Sequence, residues 1–266
     1  MNTRAHRIAR CWSVGVMALG LPLAAWADSD KVLSACAGDT PPFVQFFDGN
    51  PVGGFSFELV MQISKQLGQR PRVLQLPWAR CLQQVKLGKV DLAIDAYDDA
   101  ERRKTFYYSS AYYTLTPQVF YRASDMVVRP DAGTDRKALT TLRGCGVRGY
   151  TYDHYGIDAT TMDLGADNDL KMLLKLKAGH CDYALEEMEY IIGARQTGGQ
   201  WLDESNLHAF QPAWAKGPQL HFLIGKEHGE GARLLKSVND AIAAAKDSGF
   251  LAALQKRYFD KAVARR

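Results

Sequence analysis

The sequence predicts an α/β protein of two lobes, each with a mostly parallel sheet flanked by helices. The first observation is a phrase written twice, 91 positions apart: Leu82-Gln-Gln-Val-Lys-Leu-Gly88-Lys-Val-Asp91-Leu-Ala-Ile-Asp95 and Leu173-Leu-Lys-Leu-Lys-Ala-Gly179-His-Cys-Asp182-Tyr-Ala-Leu-Glu186. In each copy an amphipathic stretch stops at a Gly suited to positive φ, a tight turn carries an Asp, and an apolar run begins a strand. The second observation is that strand and helix patterns alternate on both sides of the repeat, which calls for parallel crossovers with both sheet faces covered.

Each element has its own signal. Val32 to Ala37 reads as a first strand. Phe57 to Leu67 has apolar residues at 60, 63 and 67 and a stop at Gly68, which is helical spacing. Strand Arg72 to Leu76, helix Cys81 to Leu87 and strand Leu92 to Ala96 follow. The second run repeats the order with Gly146 to Arg148 as strand, Asp169 to Ala178 as helix and Tyr183 to Glu186 as strand. Near the end, Leu235, Val238, Ala241, Ile242 and Ala245 form one apolar helix face, Gly249 breaks it, and Leu251, Leu254 and Tyr258 start another. Ligands of open α/β sheets bind beyond the carboxyl ends of the strands, so the repeat sets Asp95 and Glu186 where two lobes face each other across a cleft.

The first residues give the compartment. Arg4, Arg7 and Arg10 precede an apolar stretch from Cys11 to Trp26, and Ala25-Trp26-Ala27 makes a small-x-small cleavage site before Asp28. Residues 1–27 therefore read as a secretory signal peptide, and the mature chain is expected to be soluble in the periplasm. Cys11 lies inside the apolar region, which argues against a lipid anchor. Removing residues 1–27 lowers the charge from 33 minus 29 to 30 minus 29, a balance with no nucleic-acid or membrane-surface signature.

Export also changes how the cysteines read. The mature chain holds Cys36, Cys81, Cys145 and Cys181, and four cysteines allow three pairings. Pairing within lobes is favoured, because Cys36 and Cys81 belong to the first run and Cys145 and Cys181 to the second. Their spacing has no close Cys-x-x-Cys pair, so no metal site is expected, and no cofactor either.

The stretch richest in chemistry runs from Asp95 to Tyr113. A strand end carrying Asp95 and Tyr97 leads into Asp98-Asp-Ala-Glu101-Arg102-Arg103-Lys104, then Phe106-Tyr-Tyr-Ser109-Ser-Ala-Tyr112-Tyr113. An Arg on such a loop grips a carboxylate with two parallel bonds. Taken alone, the same run reads as a solvated set of self-paired charges.

Gly54-Phe55-Ser-Phe-Glu58-Leu, Gly88-Lys-Val-Asp91, Glu101-Arg102 with Tyr108-Ser109-x-x-Tyr112, Gly179-His-Cys-Asp182 and Asn239-Asp-Ala-Ile with Gly249 and Tyr258-Phe259 occur in order over essentially the whole mature chain. Together they resemble the bacterial extracellular solute-binding proteins that feed polar amino-acid ABC importers. The resemblance implies a type II periplasmic-binding fold. Lobe 1 would comprise residues 28–112 and 218–266 and lobe 2 residues 117–214, with crossings at about 113–116 and 208–217. It implies a monomer that captures a polar amino acid by hinge closure and hands it to a membrane permease.

Site residues carry over by position. The carboxylate-clamping Arg falls on Arg102, the aromatic platform on Trp78, the small hydroxyl after the lobe 2 strand on Thr151, and the acid for the ligand α-amino group on Glu187. This chain departs from the pattern in having Thr40 for a second aromatic, Asp95 and Ala96 for serine-type residues, and Glu186-Glu187 for an Asp. Asp95 would suit a ligand with a second positive or hydroxyl-rich group, because a buried carboxylate needs a partner. Side chains alternate along a strand, so only one of Glu186 and Glu187 should enter the cleft, and the carry-over favours Glu187. Two other readings share the scaffold. A dehydratase of the cyclohexadienyl or arogenate type would use Glu186, Glu187, Asp95 or His154 as acid or base, and an accessory protein of a periplasmic dehydrogenase would bind a protein partner.

Overall fold

The computed structural model describes residues 31–125, 127–128, 135–196 and 206–260; the expected signal peptide lies outside the described residues. The first run comprises β1 (Val32–Ala37), the hairpin β2 (Gln45–Phe47) and β3 (Asn50–Gly53), α1 (Phe55–Gln66), β4 (Arg70–Gln75), α2 (Trp78–Lys86), β5 (Leu92–Ala96), the single turn α3 (Arg102–Thr105), β6 (Phe106–Tyr108) and β7 (Tyr113–Thr114). The second comprises β8 (Pro117–Arg122), α4 (Arg136–Leu139), β9 (Gly144–Val147), β10 (Asp163–Ala166), α5 (Asp169–Lys177), β11 (Tyr183–Glu187), α6 (Met188–Gln196) and β12 (Leu207–Phe210). The chain then returns through β13 (Gln219–Gly225) to α7 (Gly231–Asp247) and α8 (Phe250–Gln255).

Two main sheets result, ordered β4-β1-β5-β13-β6 and β10-β9-β11-β8-β12. The three strands that lead each order are parallel, as the alternation predicts. The remaining pairings are antiparallel, and they involve the strands beside the two crossings: β13 pairs with β5, β6 and β7, and β8 pairs with β11 and β12. A strand that starts at a crossing starts where the parallel strands end, so it must run the other way. The sheets are therefore mixed.

Both sheet faces are covered. On β1 and β5, Leu33, Ala35, Leu92 and Ile94 belong to a cluster under α1 and α7, while Cys36 and Ala93 belong to another under α2. The second sheet divides in the same way, Cys145, Val147 and Ala184 facing α5 residues and Tyr183 and Leu185 facing the opposite cluster. The repeat glycines Gly88 and Gly179 have φ of 64° and 82°, so each helix stops in the left-handed conformation that only Gly adopts freely. Disulfides join Cys36 to Cys81 and Cys145 to Cys181, one in each run, which matches the favoured pairing.

Helix α6 locks the two runs together. Tyr190 packs against Phe43, with ring centroids 5.2 Å apart, inside the core that also holds Phe55 and Phe259. Glu189 accepts from the Thr116 backbone N–H (3.0 Å) and hydroxyl (2.9 Å) at the first crossing. At Gly193 an added Cβ would lie 2.0 Å from the Pro41 carbonyl oxygen, so the helix touches the first-lobe loop backbone to backbone.

Candidate functional site

The strand ends of both sheets meet around a cavity of about 580 Å³, within the range typical of small-molecule sites. The first lobe contributes Ala37–Pro41, Trp78, Asp95, Tyr97 and Arg102; the second contributes Arg148–Thr151 and Asp167–Leu170, with Tyr190 from α6. Five residues singled out in the sequence, Trp78, Asp95, Tyr97, Arg102 and Thr151, thus share one space.

The charge run divides sharply. Arg103 donates to both Asp98 oxygens, at 2.5 and 2.8 Å, and Lys104 to both Glu101 oxygens, at 2.9 and 2.7 Å, all on exposed surface. These two cations are the self-paired charges that the run suggests when taken alone. Arg102 differs: its backbone N–H donates to Asp99 Oδ1 at 2.7 Å, starting α3, while its guanidinium lies 5.9 Å from the Trp78 ring centroid in the cavity wall. Among the described residues it has no carboxylate partner. Trp78 opens α2 and packs one edge on the Cys36–Cys81 cluster, so it is part core and part cavity wall.

A family profile decides what this architecture is. The profile of the bacterial extracellular solute-binding proteins, family 3, matches residues 33–261. The chain belongs to that family. The L-cystine-binding protein TcyJ of Escherichia coli (strain K12) is 26% identical over 92% of this chain and 94% of its own length. The substrate-binding protein of an amino-acid ABC transporter superposes with a TM-score of 0.66 at 20% identity, covering 86% of this chain and 99% of that one. The ancestral amino-acid-binding protein AncCDT-1, described as a precursor of cyclohexadienyl dehydratase, gives 0.66 at 18% identity over 86% and 94% of the two chains. The fold is the type II periplasmic-binding fold, and the chain is a bacterial extracellular solute-binding protein.

In this family member the acids need the closest attention. Asp95, the penultimate residue of β5, has φ of 64°, a left-handed conformation that Asp tolerates better than most residues. Its Oδ1 accepts from Ser56 Oγ at 2.5 Å and the Tyr112 hydroxyl at 2.8 Å, whereas its buried Oδ2 has no donor. Burial raises its pKa to about 6, against the pull of those two hydroxyl donors.

The two adjacent glutamates do not alternate in and out of the cleft. Both are buried, Glu186 at 1% and Glu187 at 3% exposure, and neither lines the cavity. The alternation argument fails because β11 ends there and both of its faces are covered at that point. Glu187 Oε1 pairs with His154 Nε2 at 2.7 Å, and Oε2 accepts from the Tyr97 hydroxyl at 2.8 Å, a bond that reaches from the second lobe to the first. Burial alone would push Glu187 up, yet His154, Glu186 and Tyr97 hold its carboxyl below the usual range. Glu186 is pushed well up by burial and then by Asp169 and Glu187, and Asp169 is raised by its own burial.

Asp169, Arg148, Tyr150 and Tyr190 also line the cavity, and sequence reasoning did not single them out. The signal for the first three was available. They follow β9 and β10 at their carboxyl ends, where the rule that selected Asp95 also applies. Tyr190 obeys the same rule, three residues beyond the end of β11, but an aromatic in an apolar helix start reads from sequence as core.

Proposed function

We propose that this protein is the periplasmic binding component of an ABC importer and captures a small amino-acid zwitterion between its lobes. The observation that carries this reading is the unpaired Arg102 guanidinium in the cavity wall beside two neutralised neighbours. The ligand carboxylate takes two parallel bonds from Arg102, and Thr151, on the opposite lobe, donates a third. Trp78 covers the ligand side chain. Contacts from both sides favour the closed arrangement, which a membrane permease then recognises, with the protein acting as a monomer. Each lobe offers one arginine and two acids to the cavity, Arg102 with Asp39 and Asp95 and Arg148 with Asp167 and Asp169; Asp167 is paired with Lys171, which leaves Asp169 to face Arg148. That arrangement suits a ligand with an ammonium and a carboxylate at each end, which is consistent with a relative named for L-cystine.

Calorimetry with L-cystine, L-arginine, L-lysine and L-glutamine tests the reading. One of them binds the native protein, without turnover, and Arg102→Ala weakens it by more than about tenfold, since a bidentate charged contact is worth well over about 1.4 kcal/mol. Unchanged affinity in that variant removes Arg102 from the site. Consumption of a cyclohexadienyl substrate by the native protein would support the dehydratase reading instead.

A further inference from the structure

The sequence carry-over assigns the ligand's amino group to Glu187, but in the structure both oxygens of that carboxylate are already hydrogen-bonded within the protein. One oxygen is taken by His154 and the other by Tyr97, and the residue stands outside the cavity wall. Asp169 is in the opposite situation. It lines the cavity at the first turn of α5, and among the described residues its buried Oδ1 has no donor unless the neighbouring Glu186 is protonated. Behind it Glu186, 1% exposed, also has a buried oxygen, Oε2, without a donor. The neighbouring acids are already neutralised: Asp167 pairs with Lys171 at 2.6 Å, and Asp163 pairs with Lys175.

We propose that Asp169, backed by Glu186, holds the ammonium group of the ligand, and that Glu187 instead ties the lobes together. The proposal rests on the amino-acid reading above and names the residue that enforces it. Two buried carboxyl groups side by side cannot both stay charged cheaply, so in the ligand-free protein they share one proton, Glu186 donating and Asp169 accepting. The position of Asp169 in the first turn of α5 favours the anion there. With one proton between them the two carboxyl groups still carry one buried negative charge, and an incoming ammonium supplies the positive charge that offsets it. Glu187 has no such deficit, because His154 and Tyr97 already satisfy it.

The test compares amino acids with their Nα-acetyl forms, which keep the carboxylate and any side-chain cation and lose only the α-ammonium. Calorimetry would use whichever of L-arginine, L-lysine and L-glutamine binds most tightly, with its Nα-acetyl derivative, on native protein, Asp169→Asn, Asp169→Ser and Glu187→Gln. Acetylation is expected to cost the native protein and Glu187→Gln at least about tenfold in affinity and to cost the two Asp169 variants little further, as the loss of a charged hydrogen bond predicts. Thermal unfolding of each variant confirms that it is folded. A full acetylation penalty in both Asp169 variants overturns the assignment, and its disappearance in Glu187→Gln would return the role to Glu187. Should Arg102→Ala weaken binding while the Asp169 variants do not, this inference falls and the amino-acid reading stands. If no amino acid binds native protein, both fall.

Discussion

Asp95→Asn isolates the cost of one buried charge. Asn accepts the same left-handed backbone, keeps an acceptor oxygen for Ser56 and Tyr112, and removes only the ionisation. The Asp95 pKa lies at about 6 in the folded protein, against an ordinary value of 3.8, because burial disfavours the anion. A folded-state value above the unfolded one means that the native protein binds more protons between those limits, so stability falls as pH rises through that window. A shift of about two units corresponds to about 3 kcal/mol by pH 7.5, and roughly half of that is already lost by pH 5. Urea unfolding of the ligand-free protein, followed by tryptophan fluorescence, should find Asp95→Asn more stable than native at pH 7.5. The margin should shrink by about 1.5 kcal/mol at pH 5 and fall to about 0.5 kcal/mol near pH 4. A margin that does not change with pH would mean that Asp95 is paired or solvated, and the reasoning fails.

Tyr97→Phe removes the donor that links the first lobe to Glu187, leaving a buried carboxylate short by one hydrogen bond. Stability is expected to drop by about 1–3 kcal/mol and the ligand-free protein to expand in small-angle scattering, whereas an unchanged radius would show that the bond does not hold the lobes. Gly193→Ala forces a methyl group against the Pro41 carbonyl and should destabilise by about 1–3 kcal/mol in thermal unfolding, and native-like stability would show that α6 can slide away.

The fold was legible because its strands carry local signals. β1 and β5 have the bounds their apolar runs suggest, and α5 starts at the expected Asp169, capped by the Asn168 side chain. Helix starts were harder. α1 begins at Phe55, two residues before the apolar period, because the loop carbonyls of Pro42 and Phe43 accept from the first-turn amides of Phe55 and Ser56. α2 begins at Trp78 for a similar reason, with Pro77 presetting its entry and Arg80 and Cys81 donating back to the Pro77 carbonyl. At the site, the resemblance pointed to Arg102, but the charge pattern alone had no means to separate it from Arg103 and Lys104, which have acids in reach in the fold. Which glutamate faces which neighbour was also hidden, since His154 and Tyr97 come from 33 and 90 residues away.

The duplicated phrase explains why the chemistry collects where it does. Its inner aspartates do the same structural work in both lobes: Asp91 accepts from the Ser34 backbone and hydroxyl on β1, and Asp182 from the Arg143 backbone and guanidinium beside β9. Register is copied as well, with Ala93 opposite Cys36 in one sheet and Ala184 opposite Cys145 in the other. The disulfides then diverge, since Cys36 reaches a helix residue, Cys81, and Cys145 reaches Cys181 at the turn before β11. What the copies share at their far ends is a buried acid with an orphaned oxygen, Asp95 in the first lobe and Glu186 in the second. Burial raises the pKa at both strand ends, but Asp95 lines the cavity itself, whereas Glu186 stands outside the lining beside a second acid, Asp169, that does line it. In the proposed reading, a ligand whose two ends differ would meet unlike partners in the two lobes and be oriented by that inequality; were both lobes alike, the cleft could not tell head from tail.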